Sequence, residues 1–130
     1  HQLMVNIRQQ KVDKVAEDIP LQTIDQGPEE GRVLVLGWGS TYGAIKSAVR
    51  ELLEEGYPVA HAHLRYLRPF PGNLGELLKK YDHVLIPEIN NGQLVKIIRD
   101  KFLVDAKPYN KVMGIPLTKQ ELVTRIREFL

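Results

Sequence analysis

Cysteine is missing from this sequence altogether. That excludes a disulfide framework, a cysteine-ligated zinc or iron–sulfur cluster, and a thiol nucleophile. A large charge of one sign is also missing. Lys and Arg number 18 against 16 Asp and Glu, a formal net charge of +2, so nothing points to nucleic acid. No apolar run approaches the ~20 residues of a membrane span, and no secretory signal is visible. The expectation is a soluble, cytoplasmic protein with neither membrane nor nucleic acid as partner. Catalytic signatures are scarce too: there is no serine elbow, no Cys/His pair, no HExxH and no Walker lysine. The chain opens at His1 rather than at methionine, and a piece of a longer polypeptide is expected. Its 130 residues suit one domain with a proper core.

What is present is organised around Val33-Leu34-Val35-Leu36-Gly37-Trp38-Gly39-Ser40-Thr41-Tyr42-Gly43. An apolar run ends in a glycine turn, and a helical pattern follows at once. Ala44, Ile45, Ala48, Val49, Leu52 and Leu53 form one stripe at helix spacing. Gly56 sits where a helix C-cap favours a left-handed residue. This is the opening half of a βαβ unit. Gly37 and Gly39 allow close backbone approach, and Ser40 or Thr41 can cap the helix. Such a turn is either an anion site at a helix N-terminus or only a tight structural turn. The spacing resembles the dinucleotide fingerprint but has one residue too many between its last glycines.

Residues 1–19 read as a polar helix with a thin apolar stripe. Residues 21–24 alternate and form a candidate edge strand, and residues 25–31 read as loop. A second strand, over residues 58–67, places His61, His63 and Arg65 on one side and Ala60, Ala62 and Leu64 on the other. The two histidines could begin a metal site, but no third ligand is evident, and packed or hydrogen-bonded histidines are the alternative. Arg68-Pro69-Phe70-Pro71-Gly72 forms a rigid loop, and residues 73–80 form a short helix. A continuous apolar run over residues 83–88 fits a strand covered on both faces. It ends in Glu88-Ile89-Asn90-Asn91-Gly92-Gln93, a polar group at a strand's carboxyl end, where open α/β sheets bind ligands. The next helix is expected to bury Leu94, Val95, Ile97, Ile98 and Phe102. Residues 110–115 form a fourth strand. Thr118 and Glu121 make a capping box that opens the last helix.

The alternation gives an α/β fold: three layers, α/β/α, with a doubly wound and mostly parallel sheet. Its glycine turn and its Glu88–Gln93 group should then lie on one edge, side by side if their strands flank the switch point. Glu88 is placed like an acid or base, or like a helix-entry or interface hydrogen-bonder. Arg65 and Arg68 could bind an anion bidentately or serve an interface. The candidate ligand- or interface-binding residues are Gly37, Gly39, Ser40, Thr41, Arg65, Arg68, Glu88, Asn90, Asn91 and Gln93. No residue is assigned to catalysis or to a metal.

Four segments, in order, carry a family resemblance over about residues 33–130. Leu34-Val35-Leu36-Gly37-Trp38-Gly39-Ser40-Thr41-Tyr42-Gly43 resembles the start of the last domain in the α subunit of 2-oxoacid:ferredoxin oxidoreductases, especially the 2-oxoglutarate type. Leu67-Arg68-Pro69-Phe70-Pro71 resembles its LxPFP segment. Pro87-Glu88-Ile89-Asn90-Asn91-Gly92-Gln93-Leu94 resembles PExNxGQL, and Lys111-Val112-Met113-Gly114-Ile115-Pro116 resembles KVxGxP. The resemblance implies a transketolase carboxyl-terminal fold of five strands, one of them an antiparallel edge strand. It implies residues 1–30 as helix and connector from an upstream domain, and residues 31–130 as the α/β domain. It also implies a non-catalytic structural or interface role within a complex that converts a 2-oxoacid and coenzyme A to acyl-CoA and CO2. Thiamine diphosphate, Mg, iron–sulfur clusters, a β subunit and ferredoxin belong to that complex and not to this stretch. The alternative is a free-standing module that binds a nucleotide or other phosphate at the turn from Gly37 to Gly43.

Overall fold

The computed structural model describes residues 18–89, 92–111 and 115–130. The expected helix over residues 1–19 lies outside them except for its last two residues. Strand β1 (Gly31–Trp38) runs through a 3-10 turn (Gly39–Thr41) into helix α1 (Tyr42–Glu54). Then come β2 (Val59–Leu64), α2 (Leu74–Leu78), β3 (Tyr81–Glu88), α3 (Gln93–Phe102), β4 (Lys107–Asn110) and α4 (Lys119–Arg127). The four strands pair in the order β2-β1-β3-β4, every pair parallel. The chain moves outward from β1 to β2, returns past β1 to β3, and continues to β4. The switch point therefore falls between β1 and β3.

Period-2 alternation decides which side chains meet which helix layer. On one face Leu34, Leu36, Ala60, Ala62, Leu64, Val84 and Ile86 pack under α2 and α3. On the other, Val33, Val35, Val59 and Leu85 pack against Ile45, Ala48, Val49 and Leu52 of α1 and Leu122, Val123 and Ile126 of α4. The inner strands are apolar on both faces because both faces are covered. Burying each such aliphatic side chain contributes about 1.5–3 kcal/mol. Helix α1 stops where expected: Gly56 has φ +91, and its N–H bonds the Leu53 carbonyl at 2.9 Å. The capping box also forms, with Thr118 Oγ1 accepting from Glu121 N and Glu121 Oε2 accepting from Thr118 N, both at 3.2 Å.

Three expectations need correction. Residues 21–24 form no strand; among the described residues the antiparallel partner of the sheet is a single bridge, Gln26 to His61. Backbone bonds join Asp25 and Gln26 to His61 at that bridge, and side chains extend the hold to His63. Gln22 Nε2 donates to the His63 carbonyl at 2.9 Å, and Asp25 Oδ2 accepts from His63 N at 2.7 Å. A Cβ at Gly27 would lie 2.2 Å from the Val59 carbonyl oxygen, and Gly27 also has φ +87, so this strap needs glycine to lie against β2. The fourth strand starts earlier than residue 110, at Lys107. Pro108 is tolerated there because β4 is an edge and the lost N–H faces away from the ladder. Finally, Ile97 is not core: 45% of it is exposed, because α3 turns Leu94, Val95 and Ile98 inward instead.

Candidate functional site

The carboxyl ends of β1 and β3 meet at the switch point. Trp38 ends β1 with its side chain on the α3 face, and Glu88 ends β3 on the same face. Trp38 Nε1 donates to Glu88 Oε1 at 3.3 Å. The two segments thus lie side by side on one edge, as the doubly wound topology requires. They share a small cavity of about 190 Å³ lined by Trp38, Gly39, Ser40, Thr41, Glu88 and Ile89.

Glu88 is 1% exposed. Besides the Trp38 bond, its Oε1 accepts from Leu94 N at 3.0 Å and its Oε2 from Val95 N at 3.4 Å. Those N–H groups are orphan donors of the first turn of α3. The carboxylate also lies at the positive end of the helix dipole, which favours an anion. The chain therefore fills this helix's anion position with its own side chain. Of the two sequence readings, the hydrogen bonds match helix entry. Gly92 caps the helix with φ +72, and a Cβ there would come within 2.9 Å of Asn110 Nδ2.

The glycine turn is built differently. Thr41 Oγ1 does not cap α1. It accepts from Trp38 N at 3.3 Å and donates to the Trp38 carbonyl at 2.9 Å, closing the 3-10 turn on itself. This corrects the capping expectation, and no side-chain cap bond is made at this helix start. Gly39 adopts φ +63 in open space, with nothing within 4 Å of a Cβ. Gly37 is needed for a different reason: a Cβ would lie 2.5 Å from Ile45 Cδ1 and 3.2 Å from both His63 Nδ1 and Thr41 Oγ1.

Behind this turn lie the two histidines. The Tyr42 ring stands 5.4 Å from His61 and 4.9 Å from His63. Burial pushes His61 down from 6.5 to about 4; the Asp25 carboxylate opposes this, while His63, Arg65 and Lys46 reinforce it. Burial, then Arg65, also lowers His63. Among the described residues no group of three His, Cys, Asp or Glu is arranged to hold a metal ion. The two arginines separate. Arg65 is engaged within the domain, donating to the His63 carbonyl at 3.2 Å and to Asp25 Oδ1 at 3.3 Å. Arg68 instead lines a groove of about 660 Å³ with Trp38, Leu67, Phe70, Leu94, Ile97 and Lys101, and Gln93 also lines it. Asn90 and Asn91 lie outside the described residues. Sequence reasoning missed Trp38 and Lys101 as site residues. Trp38 could have been found from alternation, which sets it on the face opposite Gly37.

Fold and crevice together define a doubly wound α/β/α module whose switch point is closed by its own hydrogen bonds. The family model described as pyruvate:ferredoxin oxidoreductase core domain II matches residues 32–121, and the chain belongs to that family. It is 45% identical over 130 residues to the 2-oxoglutarate oxidoreductase subunit KorA of Mycobacterium tuberculosis, covering all of this chain and 20% of that protein. It is 31% identical to subunit alpha of 2-oxoacid:ferredoxin oxidoreductase 2 of Aeropyrum pernix, over 99% of this chain and 21% of that one. Among solved structures, the 2-oxoglutarate:ferredoxin oxidoreductase of Magnetococcus marinus, with 2-oxoglutarate, coenzyme A and succinyl-CoA bound, aligns with a TM-score of 0.90 at 29% identity, over 98% of this chain and 23% of that one. A split-gene transketolase shares the fold, with a TM-score of 0.62 at 17% identity over 84% of this chain and 41% of that one. The chain thus spans about a fifth of the length of the curated relatives it matches. No helix among the described residues is long and apolar enough to cross a membrane.

Proposed function

We propose that this chain is a non-catalytic structural and interface domain in the alpha subunit of a cytoplasmic 2-oxoacid:ferredoxin oxidoreductase of the 2-oxoglutarate type. Residues 1–30 would connect it to an upstream domain, and residues 31–130 would form the domain itself. The observation that carries this reading is the self-filled crevice. Where an open α/β sheet would offer helix donors to a ligand, Glu88 takes the donors of Leu94 and Val95. A phosphate entering the neighbouring cavity would meet that carboxylate and be repelled. The cavity's 190 Å³ also falls below the ~300 Å³ at which ligand pockets begin. Both points count against the alternative, a nucleotide or phosphate module at the turn from Gly37 to Gly43.

In the intact complex the 2-oxoacid is oxidised and decarboxylated with coenzyme A, giving acyl-CoA and CO2, and two electrons leave to ferredoxin. Thiamine diphosphate with Mg, and iron–sulfur clusters, supply that chemistry from other domains and the β subunit. This chain has no thiolate to ligate a cluster, and its α3 N-terminus, taken by Glu88, does not fit a diphosphate. No step of the reaction is assigned to its residues. Its contribution is to hold the upstream domain and the β subunit in register. The pure 130-residue chain, given 2-oxoglutarate, coenzyme A, thiamine diphosphate and a viologen dye, should reduce no dye above a no-protein control, whereas the full-length alpha subunit with its β subunit should. Turnover by the isolated chain, or calorimetric binding of coenzyme A abolished by Ser40→Glu, would overturn the interface reading.

A further inference from the structure

We propose that the groove between the Leu67–Phe70 loop and α3 seats an acidic, apolar-tipped segment from the rest of the same alpha polypeptide. This rests on the reading above that the domain is part of a longer subunit. Trp38, Leu67, Phe70, Leu94 and Ile97 give the groove an apolar bed, and Arg68 and Lys101 line it with positive charge. Among the described residues no Asp or Glu lines it. Lys101 Nζ sits over the rings of Phe70, at 5.4 Å, and Phe102, at 5.9 Å, so this cation is held on an aromatic bed rather than against a carboxylate. Among the described residues no hydrogen bond or ion pair engages the Arg68 guanidinium. Ile97 projects from α3 into this groove at 45% exposure. An exposed apolar hollow rimmed by charge marks an interaction site, and here the missing charge is negative.

A free phosphate ligand fits poorly. The Leu94 and Val95 N–H donors in the first turn of α3 are spent on Glu88, and the groove's cations are two separated side chains over hydrocarbon. A side chain that fills the apolar bed, flanked by carboxylates that reach Arg68 and Lys101, satisfies both features. The source follows from length. The matched relatives are about five times longer than this chain, and a segment on the same polypeptide has an effective concentration of order mM, ahead of any free partner. Trp38 belongs both to this groove and to the crevice cavity, so one docked surface would cover the two together.

The test uses the intact complex of full-length alpha and β subunits, with a photo-crosslinking phenylalanine analogue in place of Ile97. Peptide mapping should show capture within the alpha chain, upstream of this domain, on a segment that carries Asp or Glu beside an apolar residue. Arg68→Glu with Lys101→Glu should cut the yield at least fivefold, and Arg68→Gln with Lys101→Gln should cut it less. Reversing the charge of the captured carboxylates should restore it with the Glu pair. Capture of the β subunit, of a second alpha copy, of an own-chain segment without acids, or of nothing overturns the proposal, as does a yield indifferent to both pairs. Viologen reduction by the unsubstituted complex is measured alongside. Its absence with every 2-oxoacid counts against the functional reading, while the crosslinks judge the groove separately.

Discussion

Two strand-to-helix turns flank the switch point, and they solve the same problem in opposite ways. Each leads a parallel strand into a helix whose first N–H groups have no intrahelical partner. After β3 the chain brings a carboxylate: buried Glu88 accepts from Leu94, Val95 and Trp38. After β1 it brings a change of winding: the Gly39–Thr41 stretch tightens into a 3-10 turn, and Thr41 closes it on Trp38. The first device concentrates its stability in one side chain. The second spreads it over a backbone angle at Gly39, a contact distance at Gly37 and the packing of two buried histidines. Position in the topology therefore says where a ligand would bind, but not whether the chain has already occupied the place.

The comparison can be broken by substitution. Glu88→Ala strands two backbone donors and the Trp38 indole N–H in a buried site. The expected loss is about 3 kcal/mol, from a lost cap and unpaired donors together, read as a shift in urea midpoint. Glu88→Gln keeps one acceptor oxygen and should lose less. If Glu88→Ala is neutral, the β3 turn does not depend on its carboxylate.

On the β1 side the strongest lever is pH. Folded His61 titrates near 4 against an ordinary 6.5, so between these values the unfolded chain binds the proton that the folded chain excludes. Stability is then complete above pH 6.5 and falls as pH drops toward 4. From pH 7 to pH 5 the fall from this group is about 2 kcal/mol, and lowered His63 acts in the same direction. His61→Phe should flatten the profile; an unchanged slope would assign the pH dependence elsewhere. Smaller again is Gly39→Val. A Cβ meets nothing within 4 Å, but φ is +63, so only backbone strain is at stake, about 1–2 kcal/mol for a β-branched residue. A thermal melt checks it, and Gly39→Asn, which tolerates this region, should lose less than Gly39→Val.

The two regions also differ in how far they could be read from sequence. The layer order, the helix over Tyr42–Glu54, its Gly56 stop and the Thr118–Glu121 box were legible, because periodicity, capping residues and glycine act within a few residues of each other. The same locality placed Gly37–Thr41 and Glu88–Gln93 at strand ends and, with the parallel topology, on one edge. Local reasoning failed wherever more than one partner or packing was open to a residue, near or far in the chain. Residues 21–24 alternate like a strand, yet the strap holds β2 through the side chains of Gln22 and Asp25, both bonded to the His63 backbone. Thr41 looked like a cap but turned back to Trp38. Ile97 sat on the helical stripe but faces outward, because Leu94, Val95 and Ile98 already fill the space under α3. By itself the sequence determined the α/β alternation, the absence of cluster ligands and the edge on which any site must lie. Only the tertiary structure decided that Glu88 fills that site and that Arg68 and Lys101 share an apolar groove. Those facts depend on how the fold brings Trp38 to Glu88 and α3 beside the Leu67–Phe70 loop, contacts that no local pattern encodes.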